Sequence, residues 1–115
     1  MRTDRLLIND ILDAIREIDA TLPATLQDFL NDKLVRSHIF LHVQFIGEAS
    51  TKISRLLRDK NPHVPWKQMI GMRHVLVHDY FSIDYERLYF TARDDMRQLQ
   101  NSIETILLSL DLPPA

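Results

Sequence analysis

The chain has no cysteine, which excludes a disulfide framework and any thiolate zinc site. It has only two glycines and five prolines in 115 residues, and no segment alternates with period two for long, so strands and hairpins have little to build on. No run approaches the about 18 consecutive apolar residues of a membrane span. The opening Met1-Arg2-Thr3-Asp4 lacks a signal-peptide core. A cytoplasmic protein without a membrane partner is expected. The single tryptophan, Trp66, reads most simply as a core residue and not as a base-stacking platform.

An overall basic charge is missing too. The net charge is −2, which argues against a general nucleic-acid coat. Its distribution says more. From Lys52 to His78 there are six cations (Lys52, Arg55, Arg58, Lys60, Lys67, Arg73) against one acid, Asp59, so this window carries +5 and the remainder −7. A basic zone on an acidic body suits a polyanion that meets one face. Any single lysine there reads better as solvation of a helix end.

What is present is helical rhythm. Hydrophobic and charged contents of 45% and 26% are ordinary globular values, and the length suits one domain, residues 1–115. Leu7, Ile8, Ile11, Leu12, Ile15 and Ile18 form one stripe of a first helix, from Thr3 or Asp4 to about Ala20. Thr25 and Asp28 open a short helical turn. A second long helix is predicted from Asn31 or Asp32 to Lys60. Its seam is Val35, Ile39, His42, Ile46, Ala49, Ile53 and Leu56, and a second strip, Leu34, His38, Leu41, Phe45, Glu48 and Lys52, runs beside it. His42 reads as a hydrogen-bonded core or interface residue. Two apolar strips imply two packing partners, the chain's own bundle and another chain, and the small pair Gly47 and Ala49 admits a close backbone. Pro65 starts a third helix that ends near His78. Tyr85, Leu88, Ala92, Met96, Leu99, Ile103, Ile106 and Leu110 mark a fourth, to about Leu110. The expected fold is all-α, an up-and-down bundle of four main helices plus the short turn.

The third helix carries the chemistry. Arg73, His74, His78, Asp79 and Tyr80 put a fixed cation, two imidazoles, a carboxylate and a phenol within eight residues. His74 and His78, four apart, share a helical strip. Such groups must be solvated or paired if buried, so a charged ligand is expected here; a polar helix C-terminus favoured by the dipole is the plainer alternative. Glu48, mid-helix on its strip, either holds the Arg73 guanidinium, its own or a neighbour's, or pairs with Lys52 at i+4. The two histidines lack the glutamate of an H-E-x-x-H zinc helix, since Val75 follows His74. No metal or other cofactor is expected.

The order Arg73, four residues, His78, one residue, Tyr80 resembles the signature of the HepT-like toxins in the HEPN superfamily of RNases. Phe45-Ile46-Gly47-Glu48-Ala49-Ser50 is similar to that family's second-helix segment. Val64-Pro65-Trp66-Lys67-Gln68-Met69-Ile70-Gly71-Met72-Arg73 is similar to its motif-helix entry, and Tyr80-Phe81-Ser82-Ile83-Asp84 to its exit. Two departures stand out: His74 where the family most often has Asn, and Asp79 where Gly is common.

The resemblance implies a metal-independent endoribonuclease toxin acting as a C2 homodimer on tRNA or mRNA. It implies catalytic Arg73 and His78, with His74 and Glu48 in support. Imidazole suits proton transfer near neutral pH, guanidinium suits a crowded phosphate, and a second chain supplies the second imidazole. In that family the Tyr80 position accepts AMP from a small MntA-type nucleotidyltransferase, the antitoxin of a type VII pair, which makes a nucleotide-modified phosphoprotein. On residue grounds alone, the Tyr80 hydroxyl serves equally as a phosphate or loop anchor. A non-catalytic helical partner of a nucleotidyltransferase is the alternative function.

Overall fold

The computed structural model describes residues 3–75 and 82–111. Helix α1 (Asp4–Thr21) begins at Thr3, whose hydroxyl accepts from the Leu6 N–H at 3.3 Å and so satisfies a donor that the first turn leaves without a partner. All six apolar positions expected on this helix are buried. Helix α2 (Leu26–Asn31) starts at Thr25, whose Oγ1 accepts from the Asp28 N–H at 3.1 Å. Helix α3 (Lys33–Lys52) is capped by Asp32. Next come α4 (Arg55–Lys60), α5 (Trp66–Val75) and α6 (Tyr85–Phe90). A π-turn over Thr91–Asp95 then leads into α7 (Met96–Asp111). No strand occurs among the described residues, and none of their helices is long and apolar enough to cross a membrane. The all-α bundle is what the periodicity predicts. Helix α3 packs between α1 and α5, and α1 also packs on α7.

Two interruptions separate the structure from the pattern. The expected second helix breaks at Ile53–Ser54, because Asp4 of α1 offers a better use for the Ser54 polar groups than a helix continuing past it. The Ser54 N–H donates to Asp4 Oδ1 at 2.8 Å and its hydroxyl donates to Oδ2. The same hydroxyl accepts from the Leu57 N–H, starting α4. This resets the helical phase: Leu56, assigned to the seam, is 67% exposed, and Leu57 is buried in its place.

The second interruption is the π-turn. Along the last helix the apolar rhythm has eight residues from Leu88 to Met96 where a heptad has seven. A turn widened to i→i+5 bonding absorbs the extra residue and leaves Leu88, Ala92, Met96, Leu99, Ile103 and Ile106 all buried.

Among the described residues, the second strip of α3 leaves its large apolar members open to solvent. Leu34 is 83% exposed, and Leu41 and Phe45 are 49% exposed each. His42 is half-buried. Its Nδ1 lies 2.7 Å from the His38 carbonyl; that oxygen can only accept, so the proton sits on Nδ1. His38 Nε2 lies 3.0 Å from Glu17.

Candidate active site

Helix α5 is anchored at its start and pressed onto α3 near its end. Trp66, Met69 and Met72 are buried along one side, and the Trp66 indole N–H donates to the Asn61 carbonyl at 2.9 Å. The approach to α3 is close because of Gly47. A Cβ there would lie 2.5 Å from Arg73 Cγ, 3.0 Å from the Arg73 backbone nitrogen and 3.4 Å from the Met69 carbonyl oxygen. The close backbone that Gly47 admits is thus α5 of the same chain.

One residue further along α3, Glu48 receives the guanidinium. Arg73 Nη1 donates to Glu48 Oε1 at 3.1 Å. Of the two partners open to Glu48, Arg73 and Lys52, it takes Arg73, within one chain. Arg73 is the more buried of the two, and its Nε is buried without a hydrogen-bond partner among the described residues. Among the described residues, Nη1 is the one nitrogen of the fork with a recorded partner. A half-exposed pair like this contributes about 0–1 kcal/mol to stability, so its effect is mainly on orientation.

His74, next on the helix, is exposed. His78, Asp79 and Tyr80 lie outside the described residues, as does the expected helix end. The structure thus brings Arg73 and Glu48 together and sets His74 beside them.

Gly47→Ala tests the close approach. Alanine gains about 1 kcal/mol as a helix former, but overpacking costs about 1–3 kcal/mol. Arg73 Cγ can rotate away only by giving up its reach to Glu48, and the Arg73 nitrogen is backbone. The melting temperature is expected to fall by a few degrees in a thermal unfolding scan; a rise would mean the two helices part without cost.

Three cations of the basic window, Arg55, Arg58 and Lys67, line a shallow basin of about 780 Å³ between α4 and α5, together with Asp59, Pro62, Trp66 and Ile70. Arg55 reaches Asp59 only at 3.8 Å, and Arg58 Nε is buried without a hydrogen-bond partner among the described residues. Across α5 a second cleft of about 670 Å³ opens toward the π-turn, and Lys67, Gln68, Gly71, Met72, Arg87 and Asp95 are among the residues lining it. Reasoning from the motif misses this cleft; the eight-residue interval over the π-turn is the one sequence signal that points to it. Among the described residues, no group of three or more His, Cys, Asp or Glu side chains could hold a metal ion.

The described residues thus form an all-α bundle in which a guanidinium on one helix is paired with a carboxylate of a neighbouring helix. The family described as "Ribonuclease HepT-like" matches residues 11–106, and the chain belongs to that family. It is 35% identical over 98 residues to "Putative RNase MJ1380" of Methanocaldococcus jannaschii, covering 85% of this chain and 84% of that protein. It is 31% identical over 104 residues to "Putative RNase MJ0125" of the same organism, covering 90% and 84%. To "Probable ribonuclease HepT" of Thermococcus cleftensis it is 32% identical over 106 residues, covering 91% and 96%. No solved structure matches the chain.

Proposed function

We propose that this chain is a metal-independent endoribonuclease toxin that works as a C2 homodimer. The observation that carries the reading is the Arg73–Glu48 contact, which orients a permanent cation on the helix that leads into His78. It stands in a chain whose relatives are named as ribonucleases. Cleavage of RNA without a metal requires a base for the 2′-hydroxyl, an acid for the 5′-oxygen and positive charge on the phosphate. Arg73 supplies the charge, and His78 from each chain supplies the proton transfers. His74 supports the phosphate. The exposed row Leu34, Leu41 and Phe45 provides an apolar surface for a second copy. The basin around Arg55, Arg58 and Lys67 guides the backbone of a tRNA or mRNA toward Arg73.

Tyr80 is the acceptor for AMP delivered by an MntA-like nucleotidyltransferase, the antitoxin of a type VII pair. Each AMP adds a negative phosphodiester and a bulky base, which repel and replace the substrate.

The purified chain is expected to cut single-stranded RNA in the presence of EDTA and to leave 2′,3′-cyclic phosphate and 5′-hydroxyl ends, read by mass spectrometry of the fragments. Cleavage that needs an added divalent ion, or none at all, overturns the mechanism and leaves the helical nucleotidyltransferase partner as the better reading.

A further inference from the structure

We propose that the cleft between α5 and the π-turn is a base-recognition subsite that takes a guanine of the RNA, with Asp95 reading its Watson–Crick edge. This rests on the ribonuclease reading above and deepens it.

The cleft has the size of a nucleotide site, about 670 Å³, and its wall is divided by chemistry. Pro65, Gly71 and Met72 give an apolar surface on which a base can lie. Lys67 and Arg87 stand at the same cleft, and neither has an ion-pair partner among the described residues. They are cations for phosphates on either side of the base. Gln68 and Asp95 line both this cleft and an adjoining one of about 380 Å³ that runs along the start of α7, so they sit at its inner divide.

Asp95 is the informative residue. It is half-buried, and no hydrogen bond or ion pair reaches its carboxylate among the described residues. Burial in the first place, and the neighbouring Asp94 charge in the second, push its carboxyl above the ordinary value. Asp94, one residue before, is by contrast paired with Arg93 at 2.7 Å. A carboxylate at the wall of a cleft that no protein donor holds among the described residues is open to a ligand that brings donors. Guanine brings two adjacent N–H groups, N1–H and the 2-amino group, which fit the two oxygens side by side. Uracil, adenine and cytosine each offer one donor position on that edge. Recognition of unstacked bases on this edge is how single-stranded RNA is read.

The π-turn forms one wall of the site. Widened turns of this kind are frequent at functional sites, and this one carries Thr91 and Asp95, which both line the cleft facing α5. Helix α5 carries Arg73 toward α3 and Gln68, Gly71 and Met72 toward the cleft. An RNA strand crossing this helix would present its phosphate to the former and a neighbouring base to the latter.

The test uses the whole chain and a set of RNA 12-mers that share one cleavage site and differ at single flanking positions, together with titrations of the four nucleoside 5′-monophosphates. Guanosine at one fixed position is expected to raise the cleavage rate about 10- to 100-fold over the other bases. Inosine at that position, which lacks the 2-amino group, should forfeit most of the gain without any change to the protein. Asp95→Asn should collapse the guanosine-to-adenosine rate ratio toward one. A uniform rate across the set overturns the subsite, as does a guanosine preference that survives both inosine and Asp95→Asn, and in either case the ribonuclease reading stands. GMP bound more tightly than the other nucleotides, lost in Asp95→Asn, with no RNA cut, would keep guanine recognition and sink the nuclease. GMP binding with no base preference in cleavage overturns the claim that the guanine belongs to the RNA.

Discussion

Arg73→Ala is expected to slow RNA cleavage by about 100- to 1,000-fold, the range lost when one preorganised charge-stabilising donor is removed from a reacting centre. The loss should fall mainly in kcat, since the guanidinium acts most on charge that gathers at the phosphate in the transition state. Unfolding is not an alternative explanation of such a result. The Arg73–Glu48 contact at 3.1 Å joins a partly exposed arginine to an exposed glutamate, worth about 0–1 kcal/mol, and the buried anchors of α5 are Trp66, Met69 and Met72. Arg73→Lys keeps the charge but lacks the planar fork, and it should recover only a small part of the rate. Single-turnover cleavage beside thermal unfolding of the same samples decides the matter. A rate within a few-fold of the parent chain removes Arg73 from the reaction.

His78→Ala is expected to cost about 100- to 10,000-fold, the usual worth of a positioned proton donor or acceptor. The dimer makes a further demand. If each chain supplies one imidazole to a shared site, losing the partner should cost about as much as losing the ring. Phe45→Glu provides that second arm: it places a charge on an exposed apolar row that includes Leu41 and stands one turn from Glu48, whose like charge opposes association. Sedimentation should show a monomer, and cleavage should fall into the range of His78→Ala although Arg73 and His78 are both retained. A monomeric Phe45→Glu chain that cuts at the parent rate contradicts the shared site, and an active His78→Ala chain contradicts the acid–base role.

Much of this architecture was legible in the sequence because helices declare themselves locally. The stripe of Leu7 through Ile18, the caps at Thr3 and Thr25 and the stripe from Leu88 to Ile106 each depend on residues within a few positions of one another. The site was legible in part for the same reason: Arg73, His74, His78 and Tyr80 fall within eight residues. Glu48 could be singled out because a carboxylate in mid-helix on an apolar strip needs a use. Whether that use was Arg73 or Lys52 stayed open, since Lys52 is one turn along the same helix and only the packing of α5 on α3 brings Arg73 within reach.

By itself, then, the sequence determined an all-α chain, the faces its helices bury, and a cation-and-imidazole segment at the end of a tryptophan-led helix. The tertiary structure alone decided three things. Asp4 ends the second long helix at Ser54, from 50 residues away in the chain. Gly47 brings α5 close enough for Glu48 to take the Arg73 guanidinium. The π-turn lies along a cleft and sets at its wall Asp95, which has no ion pair or hydrogen bond to its carboxylate among the described residues. The division has one physical cause. Periodicity and capping are set by neighbours along the chain, whereas a hydrogen bond or a methyl-sized gap between helices depends on groups that only folding brings within a few ångströms.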